Sequence, residues 1–223
     1  LAKLADHLNI DVLEVIKAAN SLPKGQSFVN ILSPSIGVGG YCLTKDPWFL
    51  NSFAESYGSN FKTAITSRKV NEESPNYAAK TISKEITKRF PKTPNNSVNI
   101  GILGLSFKNN TGDCRFTPTI KLINNLSKSG FKIKIFDPYL SEKDYGEFVK
   151  NNIFKANSIN EVLSNSHCVA FLTGHKEFKE INLIQLKDNL VAGGIIFDGR
   201  MFFSKGEIDE FIKSGFKFKG IGR

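Results

Sequence analysis

The sequence predicts an α/β protein, with an all-helical first part followed by a parallel sheet domain. Three observations carry that expectation. From Asn60 to Phe90 the residues are polar-rich with a helical spacing of apolar positions. Pro91-Lys92-Thr93-Pro94-Asn95-Asn96 then reads as a linker, because Pro and Asn favour turns over regular structure. Beyond it, short apolar runs alternate with helical patterns, a rhythm that implies parallel strands covered by helices on both faces. The expected organisation is a helical domain over 1–90, a linker over 91–96 and an α/β domain over 97–223.

Each element has its own signal. Leu1-Ala2-Lys3 is neither an initiator start nor a signal peptide, and the chain reads as a piece of something longer, cut inside a helix. Asp11 and Glu14 form an Asx cap with a carboxylate at N3, ahead of an apolar face of Val12, Leu13, Val15 and Ile16. Pro23, Gly25, Pro34, Gly37, Gly39 and Gly40 exclude a regular element from about Leu22 to Tyr41. A short helix is expected to resume after Asp46, with Pro47 in its first turn. Ser74-Pro75 should kink the long helix that follows. In the second part, 98–103, 132–136, 167–173, 195–198 and 216–221 read as strands. Pro118 to Ser129, a stretch ending at Glu161 to Asn165, and Glu207 to Lys213 read as helices. Ligands of such sheets sit at the carboxyl ends of the strands.

Composition narrows the function classes. Hydrophobic content of 40% with 23% charged residues is ordinary globular usage and excludes a disordered or collagen-like chain. Apolar runs such as Val98 to Leu105 are too short to span a bilayer. Three cysteines, an odd number, argue against a disulfide framework and for a reducing compartment such as the cytoplasm. His7, His167 and His175 stand isolated, with no metal-ligand spacing to Cys42, Cys114 or Cys168. The formal charge of +9 is spread along the whole chain without a basic run or interleaved aromatics, so a solvated surface is expected rather than a nucleic-acid partner.

Two segments can carry chemistry on their residues alone. In Gly37-Val38-Gly39-Gly40-Tyr41-Cys42-Leu43-Thr44-Lys45-Asp46-Pro47 the glycines permit close backbone approach to a ligand. Cys42 follows at a loop-to-helix junction, where terminal amides and Lys45 favour a thiolate and Asp46 offers a carboxylate for water. Spacing leaves open an activated nucleophile or a tight turn with a buried, inert cysteine. The second segment runs from Gly101 to Arg115, after a strand and before a helix, where loop amides, Lys108 and Arg115 can meet phosphates. It lacks GxGxxG spacing, and an ordinary strand-to-helix connection is its plainer reading. Arg200, in Phe197-Asp198-Gly199-Arg200 at a strand end, is the third candidate.

Together these motifs resemble the UDP-glucose/GDP-mannose dehydrogenase family, along the whole chain. GVGGYCLTKDPWF is similar to the family's catalytic cysteine motif, GLSFKNNTGDCRFTP to its substrate loop and IFDGR to its terminal strand motif, with Val70-Asn71 on the long helix. The resemblance implies a helical central domain that dimerises through its long helix, followed by a Rossmann-like UDP-sugar-binding domain. It also implies NAD-dependent oxidation of a sugar C6 alcohol to the carboxylate, through a thiohemiacetal and a thioester, in the supply of polysaccharide precursors. Val29-Asn30-Ile31-Leu32 ahead of GVGG, with DPWF behind it, is most similar to the branch acting on UDP-N-acetylmannosamine.

By the same resemblance Cys42 is the nucleophile and Asp46 activates water, while Lys45 and Arg115 approach NAD. Ser33, Gly37 and Gly39 belong to the loop around the sugar nucleotide, and Phe107, Lys108 and Arg200 contact the substrate. No metal is implied. The family's NAD-binding domain, and the Lys and Asn of its central helix, are expected to lie outside this sequence. Phe28 and Tyr41 stand where the acetamido-sugar branch carries Arg and His. A non-catalytic UDP-sugar-binding module is the alternative.

Overall fold

The computed structural model describes residues 2–21, 31–146 and 148–223. Helices α1 (Ala2–Leu8) and α2 (Val12–Asn20) open the chain, and Asp11 caps α2 by accepting the Leu13 amide at 2.9 Å. Ala5, Val12 and Ile16 close a small cluster of their own. Both helices are tied to the far end of the chain: Asp6 accepts from Lys219, Asp11 pairs with Arg223 at 3.0 Å, and the Val12 amide donates to the Gly222 carbonyl.

Helix α3 (Tyr41–Ser56) begins at Tyr41 rather than after Asp46, so Pro47 lies inside it and not in its first turn. A proline there leaves the carbonyl four residues back without its helical donor. That carbonyl belongs to Leu43, and Arg68 Nη1 donates to it at 3.0 Å. Helix α4 (Lys62–Arg89) runs unbroken through Ser74-Pro75, where the sequence predicts a kink. Its buried positions, Pro75, Ala78, Ala79, Ile82 and Ile86, recur at three- and four-residue steps along one face.

The second part contains β1 (Asn99–Leu103), α5 (Pro118–Lys128), β2 (Lys132–Phe136), α6 (Glu142–Tyr145), β3 (Ile153–Lys155) and α7 (Ile159–Leu163). It continues with β4 (Ser166–Phe171), α8 (Leu183–Asn189), β5 (Leu190–Asp198), α9 (Lys205–Lys213) and β6 (Lys217–Gly220). The strands form one six-stranded sheet in the order β3-β2-β1-β4-β5-β6, and every pairing is parallel. This is a doubly wound sheet whose topological switch point lies between β1 and β4.

Strand periodicity divides the core in two. Ile100, Ile102, Cys168, Ala170, Ile195 and Phe197 face α4 and α5, in one cluster with Ala78, Ile82, Leu122 and Leu126. Leu103, Val169, Phe171 and Ile196 face the other way, against Val162, Leu186 and Phe211 of α7, α8 and α9. Packing therefore does not stop at the linker, because the second half of α4 covers the sheet. Among the described residues no helix is long and apolar enough to cross a membrane.

Candidate functional site

Two buried carboxylates shape the loops at the strand ends. Asp137, just past β2, accepts from the Leu105 and Ser106 amides at 2.8 and 2.9 Å and from the Ser106 hydroxyl at 2.9 Å. Burial pushes its carboxyl up, but hydrogen bonds from His175 and Ser106 outweigh that and hold it below the ordinary range. Asp198, the last residue of β5, accepts the amides of Arg200, Phe202 and Phe203 at 3.0, 2.8 and 3.1 Å. There burial wins, and the carboxyl is pushed up.

The Asp198 turn aims Arg200 back over the sheet, where its Nη2 lies 3.5 Å from the Phe107 carbonyl. Burial pulls the half-buried guanidinium below its ordinary value, and among the described residues no carboxylate pairs with it. Met201 behind it holds φ at 55°, and Phe116 behind Arg115 holds φ at 52°. Left-handed backbone at two bulky residues is strained, and strain of that kind gathers where loop geometry serves function.

Gly39 and Gly40 join the two parts of the molecule. A Cβ on Gly39 would stand 2.8 Å from both Phe107 Cβ and the Phe116 carbonyl oxygen, and one on Gly40 would stand 2.9 Å from Phe107 Cζ. The close approach that the glycines permit is thus to the β1 loop of the sheet domain. The Gly40 amide donates to the Arg115 carbonyl at 3.1 Å, and the Asn71 side chain brackets Val38 through its amide at 2.8 Å and its carbonyl at 3.1 Å.

A cleft of about 470 Å³ opens on one side of this seam. Ser33, Gly39, Phe107 and Arg200 line it together with Asn109, Gly174, Lys179, Met201 and Phe202, and its lining carries two cations and no acidic residue. It lies outside the carboxyl ends of β1, β4 and β5, where doubly wound sheets hold their ligands. Gly37 and Lys108 are not among its lining residues: Gly37 packs on Pro118, and Lys108 is exposed to solvent. A second cleft of about 460 Å³ lies across Val38, between Tyr41, Lys45, Arg68, Phe116 and Lys121.

Cys42 is exposed in the first turn of α3, an end that its N-cap residue, Gly40, does not cap with a side chain. The early start of α3 puts Asp46 one turn after Cys42, on the same helix face, with about 5–6 Å expected between their Cβ atoms. Lys45 pairs with Asp46 at 2.9 Å and lies over the Phe49 ring. Arg115 pairs with Asp113 at 2.6 Å and stacks over Tyr41 at 4.9 Å. Phe28, read against the acetamido-sugar branch, lies outside the described residues, as do Val29 and Asn30.

Sequence reasoning missed Asn109, Gly174, Lys179, Met201 and Phe202. It also took His175 for an isolated residue. His175 is fully buried and joins Asp137 at 3.1 Å, a partnership that only the order of β2 and β4 about β1 reveals.

Fold and site together define a doubly wound α/β domain with a basic cleft at its strand ends, preceded by a helical segment that carries an exposed cysteine. The central-domain model of the UDP-glucose/GDP-mannose dehydrogenase family matches residues 1–73, and the family's UDP-binding-domain model matches 101–205. The chain belongs to that family. It is 31% identical over 99% of its length to a UDP-N-acetyl-D-mannosamine dehydrogenase of Methanococcus aeolicus, covering 45% of that protein. A Campylobacter jejuni enzyme of the same name is 36% identical over 81% of this chain and 41% of its own length. The solved UDP-D-ManNAc dehydrogenase of Pyrococcus horikoshii superposes with a TM-score of 0.79 at 30% identity, over 100% of this chain and 46% of that one. The chain spans about half the length of the relatives it matches.

Proposed function

We propose that this chain supplies the nucleotide-sugar site and the reactive thiol of an NAD-dependent UDP-sugar 6-dehydrogenase, with UDP-N-acetylmannosamine or a related UDP-hexose as substrate. The observation that carries this is Arg200: a half-buried guanidinium, paired with no carboxylate among the described residues, held by the Asp198 turn against a cleft without acidic lining residues. A buried cation left unpaired is costly unless an anion arrives to pair with it. A diphosphate offers the charge and the multiple acceptors that a guanidinium fork matches.

In this reading the diphosphate lies near Arg200 and Phe107, and the sugar extends past Ser33 and Gly39 toward Cys42. A C6 aldehyde is captured by the Cys42 sulfur, and the thioester that follows is hydrolysed by water oriented by Asp46 on the same helix face. NAD, when bound, supplies the hydride acceptor. Lys45 and Arg115 are the cations assigned to the phosphates of such a cofactor: both are exposed, and each would exchange its carboxylate partner, Asp46 or Asp113, for a phosphate. Neither forms a nucleotide cradle. A homodimer through the long helix α4 belongs to the same proposal: Val70 of α4 is exposed, and α3 beside it turns Leu43 and Phe49 to solvent, a surface a second copy would cover.

Calorimetric titration of the whole chain with UDP tests the reading. A charge-assisted contact is worth about 1.5–3 kcal/mol, so Arg200→Ala should weaken UDP about ten- to a hundredfold. UMP should bind more weakly than UDP to the wild type. Equal binding of the two nucleotides, or an unchanged UDP affinity in Arg200→Ala, would sink the diphosphate site.

A further inference from the structure

The loop after β1 and the loop after β4 leave the sheet on either side of its switch point, yet side chains fasten them together. The Asn110 amide donates to His175 Nδ1 at 2.8 Å. The Gly174 amide donates to Asn109 Oδ1 at 2.9 Å, and the Lys176 amide donates to Asn110 Oδ1 at 2.9 Å. The Thr173 hydroxyl donates to the Ser106 carbonyl at 2.6 Å. Asn110 adopts φ of 56°, a left-handed turn that asparagine tolerates and that returns the loop toward β4.

His175 is the centre of this arrangement. It is fully buried, and because the Asn110 amide donates to Nδ1, that nitrogen carries no proton. The ring's proton therefore belongs on Nε2, which faces Asp137 Oδ2 at 3.1 Å. The same carboxylate oxygen accepts from the Leu105 and Ser106 amides, so one carboxylate fixes the start of the loop and, through the imidazole, its tip. Phe107 and Asn109, between those two anchors, and Gly174, beside His175, all line the strand-end cleft.

We propose that His175 is a positioning residue for nucleotide binding. It touches no ligand, but its neutral imidazole links Asp137 to the Asn110 amide and holds Phe107 and Asn109 at the cleft wall. The inference rests on the nucleotide reading of that cleft. Any fully buried histidine needs partners for its ring nitrogens; what sets this one apart is that the partners are the Asn110 amide of the β1 loop and the Asp137 carboxylate past β2, in the only tautomer that satisfies both.

Two substitutions on the whole chain separate the halves of the link. His175→Asn keeps an acceptor near the Nδ1 position, and His175→Gln keeps a polar group near the Nε2 position. Amide hydrogen exchange should find the Asn110 amide protected in the wild type and in His175→Asn, and unprotected in His175→Gln. Losing an ordered hydrogen bond of this kind should weaken UDP about tenfold in His175→Gln, with His175→Asn within about threefold of wild type. A role in packing alone would lower melting temperature and affinity in parallel in both variants, and that result would overturn the proposal. So would a rapidly exchanging Asn110 amide in the wild type. If His175→Gln does not fold, ¹⁵N shifts of the wild-type ring decide: a bare Nδ1 supports the link, and a protonated Nδ1 overturns it. A wild-type chain that binds no UDP defeats the nucleotide reading, whereas UDP binding equal in both variants defeats the positioning role alone.

Discussion

The cysteine helix and the sheet domain are held in opposite ways. In the sheet domain each central strand is buried on both faces, and Asp137 and Asp198 lock the loops from beneath. Helix α3 has no buried residue, and Phe49, Phe53 and Tyr57 face solvent. Most of its anchors are polar and gather near its start: Arg68 on the Leu43 carbonyl, the Arg115 carbonyl on the Gly40 amide, and Asn71 on Val38, with the Tyr41 ring against Phe116 there and Asn51 on the Phe61 amide further along. Helix α4 stands between the two, exposed at its beginning and part of the sheet's core at its end. The residues proposed to bind nucleotide thus sit on a region with a core on both faces, while Cys42 sits on one positioned by a seam. Damage to the seam should harm chemistry before it harms the fold.

The largest effect expected from this division is at Cys42. In a whole protein that includes the chain, Cys42→Ser should cut NADH formation about a thousandfold or more, as loss of a covalent nucleophile does. Melting temperature should stay unchanged, because the thiol is exposed and its loss removes no packing. Near-normal turnover would move the chemistry elsewhere. The second test reverses the outcome. Ile82 of α4 is fully buried against the sheet, so Ile82→Ala should cost about 2–5 kcal/mol in urea unfolding. Leu50→Ala on α3 should stay within about 0.5 kcal/mol in the same assay. If the two cost alike, α3 has a core of its own and the contrast is broken.

Much of this was legible in the sequence, and the misses have physical causes. The central strands are apolar runs between turn residues, and their alternation with helices fixed the parallel sheet. Strand β3, of three residues, is too short to show a period, and α8 merges into β5 with no break residue between them. Pro47 misled because its local preference is for a first turn; Arg68, a residue on another helix, removes the cost of an interior position. At the site, Arg200 and Phe107 could be read from their motifs. Asn109 and His175 could not, since their partners come from a strand order that no local pattern encodes.

A smaller effect is expected where the two regions touch. A methyl group at Gly39 would meet Phe107 Cβ and the Phe116 carbonyl at 2.8 Å, and backbone cannot yield as a flexible side chain does. Gly39→Ala should cost about 1–3 kcal/mol of stability as an overpacking change. Its more telling consequence is that both cleft walls move: UDP affinity and Cys42-dependent turnover should fall together. Wild-type values for both would mean that the seam does not couple thiol and nucleotide.

The smallest effect expected is confined to the strand ends and is read with acid. Asp137 titrates in the folded state below its unfolded value of about 3.9, so the stability it lends is fully present above that value. It drains away as pH falls through the lower folded value. Asp198 has the opposite sign: its folded value is raised by burial, so acidification from that value down to about 3.9 adds stability. The two act on opposite sides of about 3.9: on acidification the wild type should gain stability from Asp198 above that value and lose it from Asp137 below it. Asp198→Asn should remove the gain and keep the loss, whereas Asp137→Asn should remove the loss at a lower overall stability. Urea unfolding at several pH values measures both slopes. Amide exchange locates them, because Leu105 and Ser106, the donors to Asp137, should open in acid while Phe202 and Phe203, the donors to Asp198, stay closed longer. Equal slopes in the two variants would show that the carboxylates share one environment, and the strand ends would then be a single cooperative unit rather than two separately anchored loops.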